Sequence, residues 1–241
     1  MTKRLEFMKS GDGFFGKPDP FFDPNDKTIR TVSAVAFDFD FVTSDPSKSR
    51  ADEIRILVPK NKKPSRNSKE RKPGGFGLPT GQLESQEAML HAVERETEDE
   101  TGCPVRKIVG KFFVVQRKLR IDDKFVPNEI NVYLIEASGV MHRVRESDEI
   151  DPSVDPWISL RQVFEMPFAQ DKSGSNRNPN GIYFSHLLRL YCAIDSMVFD
   201  PGDLVDGEPI SQWLKPNRRA LIAAMIDIER AGLLERLFSS E

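Results

Sequence analysis

Three carboxylates grouped in one short segment are the residues of this chain best placed to do chemistry: Glu96, Asp99 and Glu100. At about 100° per residue, a helix would put them on the same side as the apolar residues Met89, Ala92 and Val93. Carboxylates that face a protein interior repel one another and are costly to desolvate unless cations neutralise them. The spacing therefore predicts a site for divalent cations with oxygen ligands.

The alternative interpretation places these acids on a solvated helix surface, as in most charged runs. Four other residues fall on the opposite side of the same helix and would already supply that surface, namely Glu87, His91, Glu94 and Glu98. We therefore assign the inward side to the three carboxylates. Arg95 lies between the two sides, where its planar guanidinium is placed to brace a carboxylate or the preceding loop.

The helix that carries these residues is predicted over residues 86–101. Ser85 is a suitable N-cap and Gly102 a suitable C-terminal stop. The residues before it, 74–82, read GGFGLPTGQ and include four glycines. Such a turn allows the backbone to come close to an ion or a phosphate.

Residues 81–103 fit the pattern G-x5-E-x7-R-E-U-x-E-E-x-G-U, where U is a bulky apolar residue. The matching residues are Gly81, Glu87, Arg95, Glu96, Asp99 (for Glu), Glu100 and Gly102. This pattern is the Nudix box, and the chain resembles the Nudix hydrolases. The resemblance implies an α/β fold, the Nudix α/β/α sandwich with a mixed sheet. It also implies hydrolysis of a nucleoside diphosphate linked to another moiety, with Mg²⁺ or Mn²⁺ as cofactor.

Individual roles follow from the same resemblance. Glu96 and Glu100 are expected to be metal ligands, and Glu96 is expected to help activate water. Asp99 stands where the family usually has Glu, so its shorter side chain would reach the metal through water. Gly81 would offer its backbone carbonyl to the metal, and Arg95 would hold the carboxylates in place.

Three positions depart from the family pattern. Thr97 and Cys103 occupy the two apolar positions of the box, and both are small and partly polar. Thr80 precedes Gly81 where many members have a second glycine. These changes are expected to weaken packing around the box without removing a charge.

A further carboxylate often comes from a loop after the box in this family. The acidic run 145–160 ends in a tryptophan segment of the kind that often closes the Nudix sheet. We expect Glu149 to be the additional ligand or catalytic base, with Asp155 as the second choice. A solvated acidic loop is the alternative.

The composition describes a soluble protein with a sizeable core. Of 241 residues, 38% are hydrophobic and 30% are charged. The net charge of -3 argues against a polycationic protein that binds nucleic acid. Capped RNA stays among the candidate substrates. No apolar run is long enough for a membrane span, and no secretory leader is evident. Cys103 and Cys192 are too few for a disulfide framework, so a cytoplasmic location is expected.

The predicted organisation has three parts. Residues 1–28 form an N-terminal arm, and residues 29–168 form the Nudix domain. Residues 169–241 form a linker and a helical C-terminal extension packed on or beside that domain. Strands are predicted over residues 29–42, 53–59, 111–117 and 129–137, and the first of them mixes β-branched residues with partial alternation.

Two helices are predicted in the extension, over residues 182–197 and 217–238. Their apolar stripes indicate core contacts or a homodimer interface. The basic run 60–72 is either a cationic flap for substrate phosphates or RNA, or a solvated loop. Its Ser, Asn and Pro content favours the loop.

The leading hypothesis is a metal-dependent pyrophosphohydrolase that acts on a nucleotide-derived small molecule. A Nudix-fold sensor or regulator that binds a nucleotide without turnover is the alternative. A DNA-binding helical pair around Arg218 and Arg219 is disfavoured because the segment has few basic residues. The sequence identifies no substrate-binding residue, and residues 116–121, QRKLRI, carry none of the subgroup marks that name a substrate.

Overall fold

The computed structural model describes residues 14–16, 28–40, 42, 47–62, 74–121, 124–137, 150–151, 153–169, 178–199 and 213–238. Most of the basic run, residues 63–72, lies outside these ranges, as do Glu149 and most of the predicted N-terminal arm. The part of the arm that is described, Phe14–Gly16, forms a short strand.

A seven-stranded mixed sheet forms the middle layer. Its strands are β1 Phe14–Gly16, β2 Ile29–Asp38, β3 Arg55–Leu57, β4 Thr80–Gln82, β5 Val105–Ile121, β6 Lys124–Ala137 and β7 Trp157–Ser159. The spatial order is β1-β5-β6-β2-β3-β7, and β4 pairs with β2. Strands β2 and β6 run parallel, whereas the other pairs are antiparallel.

All four predicted strands are present, with different bounds. Strand β2 ends at Asp38 rather than at residue 42, and β5 and β6 form a hairpin longer than predicted. The tryptophan segment forms β7 beside β3, in the register Leu57 opposite Trp157. The three-residue strand β4 lies inside the glycine-rich turn and was not predicted.

Helices cover both faces of the sheet. They are α1 Arg50–Glu53, α2 Met89–Thr101, α3 Leu160–Glu165, α4 Phe184–Phe199, α5 Arg218–Arg230 and α6 Glu235–Phe238. Successive residues of a strand point to opposite faces. Val32, Ala34 and Ala36 of β2 therefore pack with Ala92 and Val93 of α2 on one face.

The other face of the sheet carries the larger hydrophobic cluster. Val35 of β2 and Leu134 of β6 belong to it, together with residues of α3, α4, α5 and α6 such as Phe164, Leu190 and Leu221. The chain is thus the predicted α/β/α sandwich with a helical C-terminal extension. That extension is packed on the sheet, and the exact boundaries at residues 28/29 and 168/169 stay predictions.

The three predicted helices are present with different bounds, and the one predicted over residues 182–197 is α4, Phe184–Phe199. The last one is divided into α5 and α6 by a turn in which Gly232 has φ 71, a left-handed conformation. Helix α2 begins at Met89, with Ala88 as an N-cap that makes no side-chain hydrogen bond, so Ser85 is wrong as the N-cap. Ser85 and Gln86 instead form a turn, in which Gln86 has φ 65. Gly102 ends α2 with φ 68, as predicted.

Within the described ranges, no helix combines the length and the apolar character needed to cross a bilayer. Cys103 and Cys192 are both buried, and neither forms a disulfide.

Candidate active site

Helix α2 and strand β4 meet at Glu96 and Gly81. A β-carbon built on Gly81 would lie 1.8 Å from the carboxyl carbon of Glu96, and 2.0 and 2.1 Å from its two oxygens. The Glu96 carboxylate therefore lies directly over the backbone of residue 81. Its side chain is 16% exposed, so the carboxylate on the predicted inward side of α2 is largely removed from solvent.

One turn further along α2, Glu100 reaches the neighbouring residue of the same strand. The backbone amide of Thr80 donates a hydrogen bond of 2.9 Å to Oε2 of Glu100. Two of the predicted metal ligands thus converge on two consecutive residues of β4. The third, Asp99, is half-buried on the same helix and acts as a nearby like charge on Glu96.

Arg95 joins the helix to the loop that precedes it. Its Nε donates to Oε1 of Glu87 and its Nη2 to Oε2 of the same residue, both at 2.8 Å. Its Nη1 donates to Oε1 of Glu96 at 2.7 Å. Nη2 also donates to the carbonyl of Gln82 at 3.1 Å. Arg95 therefore braces both a carboxylate and the preceding loop, the two alternatives left open by its position on the helix.

Glu87 does not belong to the solvated side of the helix. Its side chain is 13% exposed, and it accepts hydrogen bonds from Arg95 and from the backbone amide of Glu84 at 2.9 Å. The other three residues assigned to that side, His91, Glu94 and Glu98, are exposed as predicted. Glu87 instead closes the turn before α2, where no side-chain cap is present.

The two carboxyls on either side of Arg95 have opposite pKa shifts. The hydrogen bonds from Arg95 lower the pKa of Glu87 to about 2. Burial raises the pKa of Glu96 above its ordinary value, because desolvation outweighs the stabilising effect of Arg95, and the nearby Asp99 adds to the rise. A cation beside Glu96 would favour the charged carboxylate and so offset the cost of burying it.

The donor set fits a hard divalent cation. The described ranges hold no group of three or more His, Cys, Asp or Glu side chains arranged to bind a metal ion. Mg²⁺, however, usually keeps several waters and binds through one or two carboxylates. Glu96 and Glu100, which meet at Thr80 and Gly81, offer that number of carboxylates beside a strand backbone.

The loop carboxylates are placed differently. Glu149, the first choice for a further ligand or base, lies outside the described residues. Asp155 is exposed, and its Oδ1 accepts a hydrogen bond of 2.9 Å from the backbone amide of Trp157 at the start of β7. Asp155 therefore organises a local turn, and among the described residues no hydrogen bond joins it to Glu96.

Most of the glycine-rich turn serves packing within the chain. A β-carbon on Gly75 would lie 2.3 Å from the carbonyl oxygen of Gly181, and one on Gly77 would lie 2.8 Å from Nδ1 of His186. Residues 74–79 are all buried. Gly75 and Gly77 leave room for Gly181 and His186, whereas Gly81 approaches the carboxylate of Glu96.

The unusual residues of the box are well accommodated. Thr97 is fully buried and donates to the carbonyl of Val93 at 2.7 Å. Cys103 is fully buried in the cluster between α2 and the sheet. The Thr97 hydroxyl is thus satisfied within its own helix and Cys103 occupies a core position, and the expectation that these two small residues weaken packing stays a prediction.

Helix α4 contributes residues that the sequence did not single out. His186 Nδ1 accepts a hydrogen bond of 2.9 Å from the backbone amide of Leu78, and Nη1 of Arg189 donates to Oγ1 of Thr80 at 3.4 Å. Both partners are more than 100 positions away in the sequence. The one local signal was the three-residue spacing of 186 and 189, which puts both on one side of a helix.

The mixed sheet between helical layers, with Glu96 against Gly81 and Glu100 on the amide of Thr80 in β4, defines an α/β/α sandwich protein with an acidic site. A family model described as NUDIX domain matches residues 45–178, more than half of the chain. The chain belongs to the Nudix family.

Solved structures similar to the chain include other proteins with this domain. The NUDIX domain of Shewanella oneidensis NrtR, in complex with ADP ribose, is 17% identical, with a TM-score of 0.46 over 73% of this chain and 94% of that one. A MutT NUDIX hydrolase from Burkholderia pseudomallei is 20% identical, with a TM-score of 0.42 over 68% of this chain and 96% of that one. A search among curated proteins gave no match.

Proposed function

We propose that the chain is a metal-dependent hydrolase that cleaves the pyrophosphate linkage of a nucleoside diphosphate linked to another moiety, by attack of water on phosphorus. The observation that carries the proposal is the convergence of two carboxylates of α2 on one strand. Glu96 lies on Gly81, and Glu100 accepts from the amide of Thr80.

We assign a role to each residue of the site from its contacts. Arg95 engages Oε1 of Glu96, so we assign metal binding and acceptance of the water proton to Oε2 of that residue. Glu100 and the carbonyl of Gly81 complete the proposed ligand set, and Asp99 joins it through water. Glu149 stays the proposed additional ligand or base. When bound, Mg²⁺ or Mn²⁺ would neutralise phosphate oxygens and lower the pKa of a coordinated water.

The chain's own groups also control orientation. The guanidinium of Arg95 is fixed by Glu87 and by the carbonyl of Gln82, so it holds Glu96 in one orientation. A general base must be held within hydrogen-bond reach of the proton that it accepts. Arg95 therefore acts as the positioning group for Glu96 in the proposed reaction.

A substrate screen tests the proposal. Nucleotide sugars, dinucleotides, capped RNA and oxidised nucleoside triphosphates are incubated with the protein and Mg²⁺, and released phosphate products are measured. Glu100→Gln should keep the fold and abolish hydrolysis, because it removes a negatively charged ligand. Glu94→Gln is the matched control, since Glu94 is an exposed carboxylate on the same helix.

Each outcome has a clear meaning. Hydrolysis by the wild type and by Glu94→Gln, with none by Glu100→Gln, supports the proposal. Equal turnover by all three proteins removes Glu100 from the mechanism. Thermal stabilisation by a nucleotide without any product would instead favour the sensor or regulator.

A further inference from the structure

Thr80 connects the proposed site to the opposite face of the sheet. Its amide donates to Glu100, and its hydroxyl donates to the carbonyl of Leu78 at 2.9 Å. The hydroxyl also lies 2.9 Å from Oγ of Ser33. Because a hydroxyl has one hydrogen, that of Ser33 must donate to Thr80. Thr80 is therefore fixed both through its backbone and through its side chain.

Neighbouring residues of β4 face different helices. Thr80 lies opposite Ser33 and Gly81 opposite Val32 in the β2–β4 register. Since successive residues of a strand alternate in direction, Gly81 faces α2 and Glu96, whereas the Thr80 side chain faces α4. The strand thus lies between the carboxylates and the C-terminal extension.

Arg189 of α4 meets Thr80 from this second face. The residue is 2% exposed. Its Nε donates to the carbonyl of Ser185 at 3.0 Å, and its Nη1 donates to Oγ1 of Thr80 at 3.4 Å. A guanidinium is rarely buried this deeply without hydrogen-bond partners. Its contact with Thr80 ties the interior of α4 to the residue that binds Glu100.

A second tie lies one turn earlier on the same side of the extension. His186 Nδ1 accepts from the amide of Leu78, and the hydroxyl of Tyr183 accepts from the amide of Gly75 at 3.3 Å. The backbone amide of Phe76 also donates to the carbonyl of Gly181 at 2.8 Å. The extension therefore holds the glycine-rich turn at several points between Gly75 and Thr80.

We propose that Arg189 and Thr80 form a positioning pair, through which helix α4 sets the geometry of Glu100 and Glu96 at the metal site. The inference rests on the proposed function, because it assigns these carboxylates to metal binding. Thr80 replaces the glycine that many Nudix proteins have here, and a glycine offers no hydroxyl to Arg189 or Ser33. Partners that orient metal ligands typically change metal affinity or activity by about 10- to 100-fold when removed.

Isosteric variants test the pair. Thr80→Val and Arg189→Met remove the contact while keeping most of the side-chain volume, and Thr80→Ser keeps the hydroxyl as the matched control. Binding of Mn²⁺ alone, without substrate, should weaken by about 10-fold in the first two variants and stay near wild type in Thr80→Ser. For any substrate found, kcat should fall with little change in KM.

The double variant identifies a shared mechanism. The loss of Mn²⁺ affinity in Thr80→Val combined with Arg189→Met should be clearly smaller than the sum of the two single losses, because both changes break the Thr80–Arg189 contact. Additive losses would show that the two residues act separately and would overturn the pair.

Hydrogen exchange of the metal-free protein supplies a readout that needs no turnover. Backbone amides of residues 78–82 should exchange faster in Arg189→Met and Thr80→Val than in the wild type and in Thr80→Ser. Unchanged exchange and unchanged Mn²⁺ binding in folded variants would overturn the inference. Should Arg189→Met fail to fold, Thr80→Val decides the question.

The same measurements separate this inference from the proposed function. The wild type could bind Mn²⁺ without hydrolysing any substrate, with Mn²⁺ binding weakened in the variants. That result would overturn the proposed hydrolase activity and support the positioning pair. Variants that are active and match the wild type in Mn²⁺ binding and in hydrogen exchange would overturn the positioning pair but not the proposed function. A wild type that binds no Mn²⁺ overturns both.

Discussion

The carboxylate of Glu96 rests on the α-carbon of Gly81, so that residue 81 has no room for a β-carbon while Glu96 keeps its orientation. The nearest approach would be 1.8 Å, to the carboxyl carbon. Real non-bonded carbon atoms do not come this close, since their optimal separation is about 3.5–4.0 Å. Glycine at position 81 is therefore required by the position of a side chain on α2.

Gly81→Ala should displace the Glu96 carboxylate and lower Mg²⁺-dependent hydrolysis by about 100-fold, the cost expected for a misplacement of about 1 Å. The fold should survive, because Glu96 can rotate towards solvent. Steady-state kinetics and thermal unfolding measure the two effects. Activity equal to the wild type would show that the orientation of Glu96 is unimportant.

Gly232→Ala is the control for this change. Gly232 has a left-handed φ of 71 and no atom within 4 Å of an added β-carbon. Alanine there should cost about 1–2 kcal/mol of stability through backbone strain and leave kcat unchanged. The two glycines thus separate a loss of function from a loss of stability.

Arg95→Lys should reduce both stability and activity, because a lysine cannot replace the planar contacts to Glu87, Glu96 and the carbonyl of Gln82. We expect a loss of about 1.5–3 kcal/mol in the free energy of unfolding, the range for hydrogen bonds to charged groups. Urea unfolding measures it. Hydrolysis should fall as well, because Glu96 loses its orientation.

Arg161→Lys provides the comparison. Arg161 donates to Glu165 at 2.8 Å, and Glu165 is 46% exposed, against 13% for Glu87 and 16% for Glu96. An exposed pair of this spacing contributes only about 0.3–0.5 kcal/mol. A loss as large in Arg161→Lys as in Arg95→Lys would contradict the special role of Arg95.

Glu87 should give the protein an acid-sensitive contribution to stability. Its folded pKa of about 2 lies below the ordinary value of 4.5. A carboxyl with a lowered folded pKa stabilises the protein above its unfolded pKa, and that contribution is lost as the pH falls towards the folded pKa. The relevant window therefore runs from about pH 4.5 down to about pH 2.

Glu87→Gln isolates this contribution. The variant should be less stable than the wild type at pH 7, and the difference should shrink as the pH falls through that window. Thermal unfolding of both proteins at several pH values measures the difference in stability. The contributions of the other titrating groups cancel because both proteins contain them. A difference that stays constant with pH would exclude the ion pair with Arg95 as its source.

The local part of the site was predictable from spacing. Glu96 follows Ala92 and Val93 on one side of a helix, and Gly102 ends that helix. Both features could be predicted because they depend on residues within a few turns of one another. The alternation along β2 likewise predicted a strand. These patterns come from the periodicities of 3.6 and 2 residues that the backbone imposes.

The long-range part was not predictable. The contacts of Arg189 and His186 join residues 109 and 108 positions apart, and no local periodicity encodes which loop a helix will meet. The glycines at 75 and 77 were interpreted as a loop for an ion or phosphate, although they make room for the segment 181–186. Ser85 failed as an N-cap because Glu87 and Arg95 organise the start of the helix instead.

Asp227 should connect the stability of the C-terminal extension to that of the sheet. Its Oδ2 accepts hydrogen bonds from Oγ of Ser49 at 2.8 Å and from the backbone amide of Arg50 at 3.1 Å, at the first turn of α1. A negative charge at the start of a helix is favourable. The larger hydrophobic cluster also includes residues of the sheet and of α5, so the two parts share one core.

Asp227→Ala should therefore lower the free energy of unfolding by about 1–3 kcal/mol, the cost of removing the charged partner of two hydrogen bonds. Arg219→Ala, at an exposed position of the same helix, should change it by less than about 0.5 kcal/mol. Fluorescence of Trp157 in β7 and of Trp213 in the extension, each studied with the other tryptophan replaced by Phe, reports the two parts separately. Both should unfold at one urea concentration, shifted together by Asp227→Ala, because they bury a common core. Separate midpoints, with only the Trp213 transition shifted, would show that the extension unfolds as an independent unit and would support a domain boundary near residue 169.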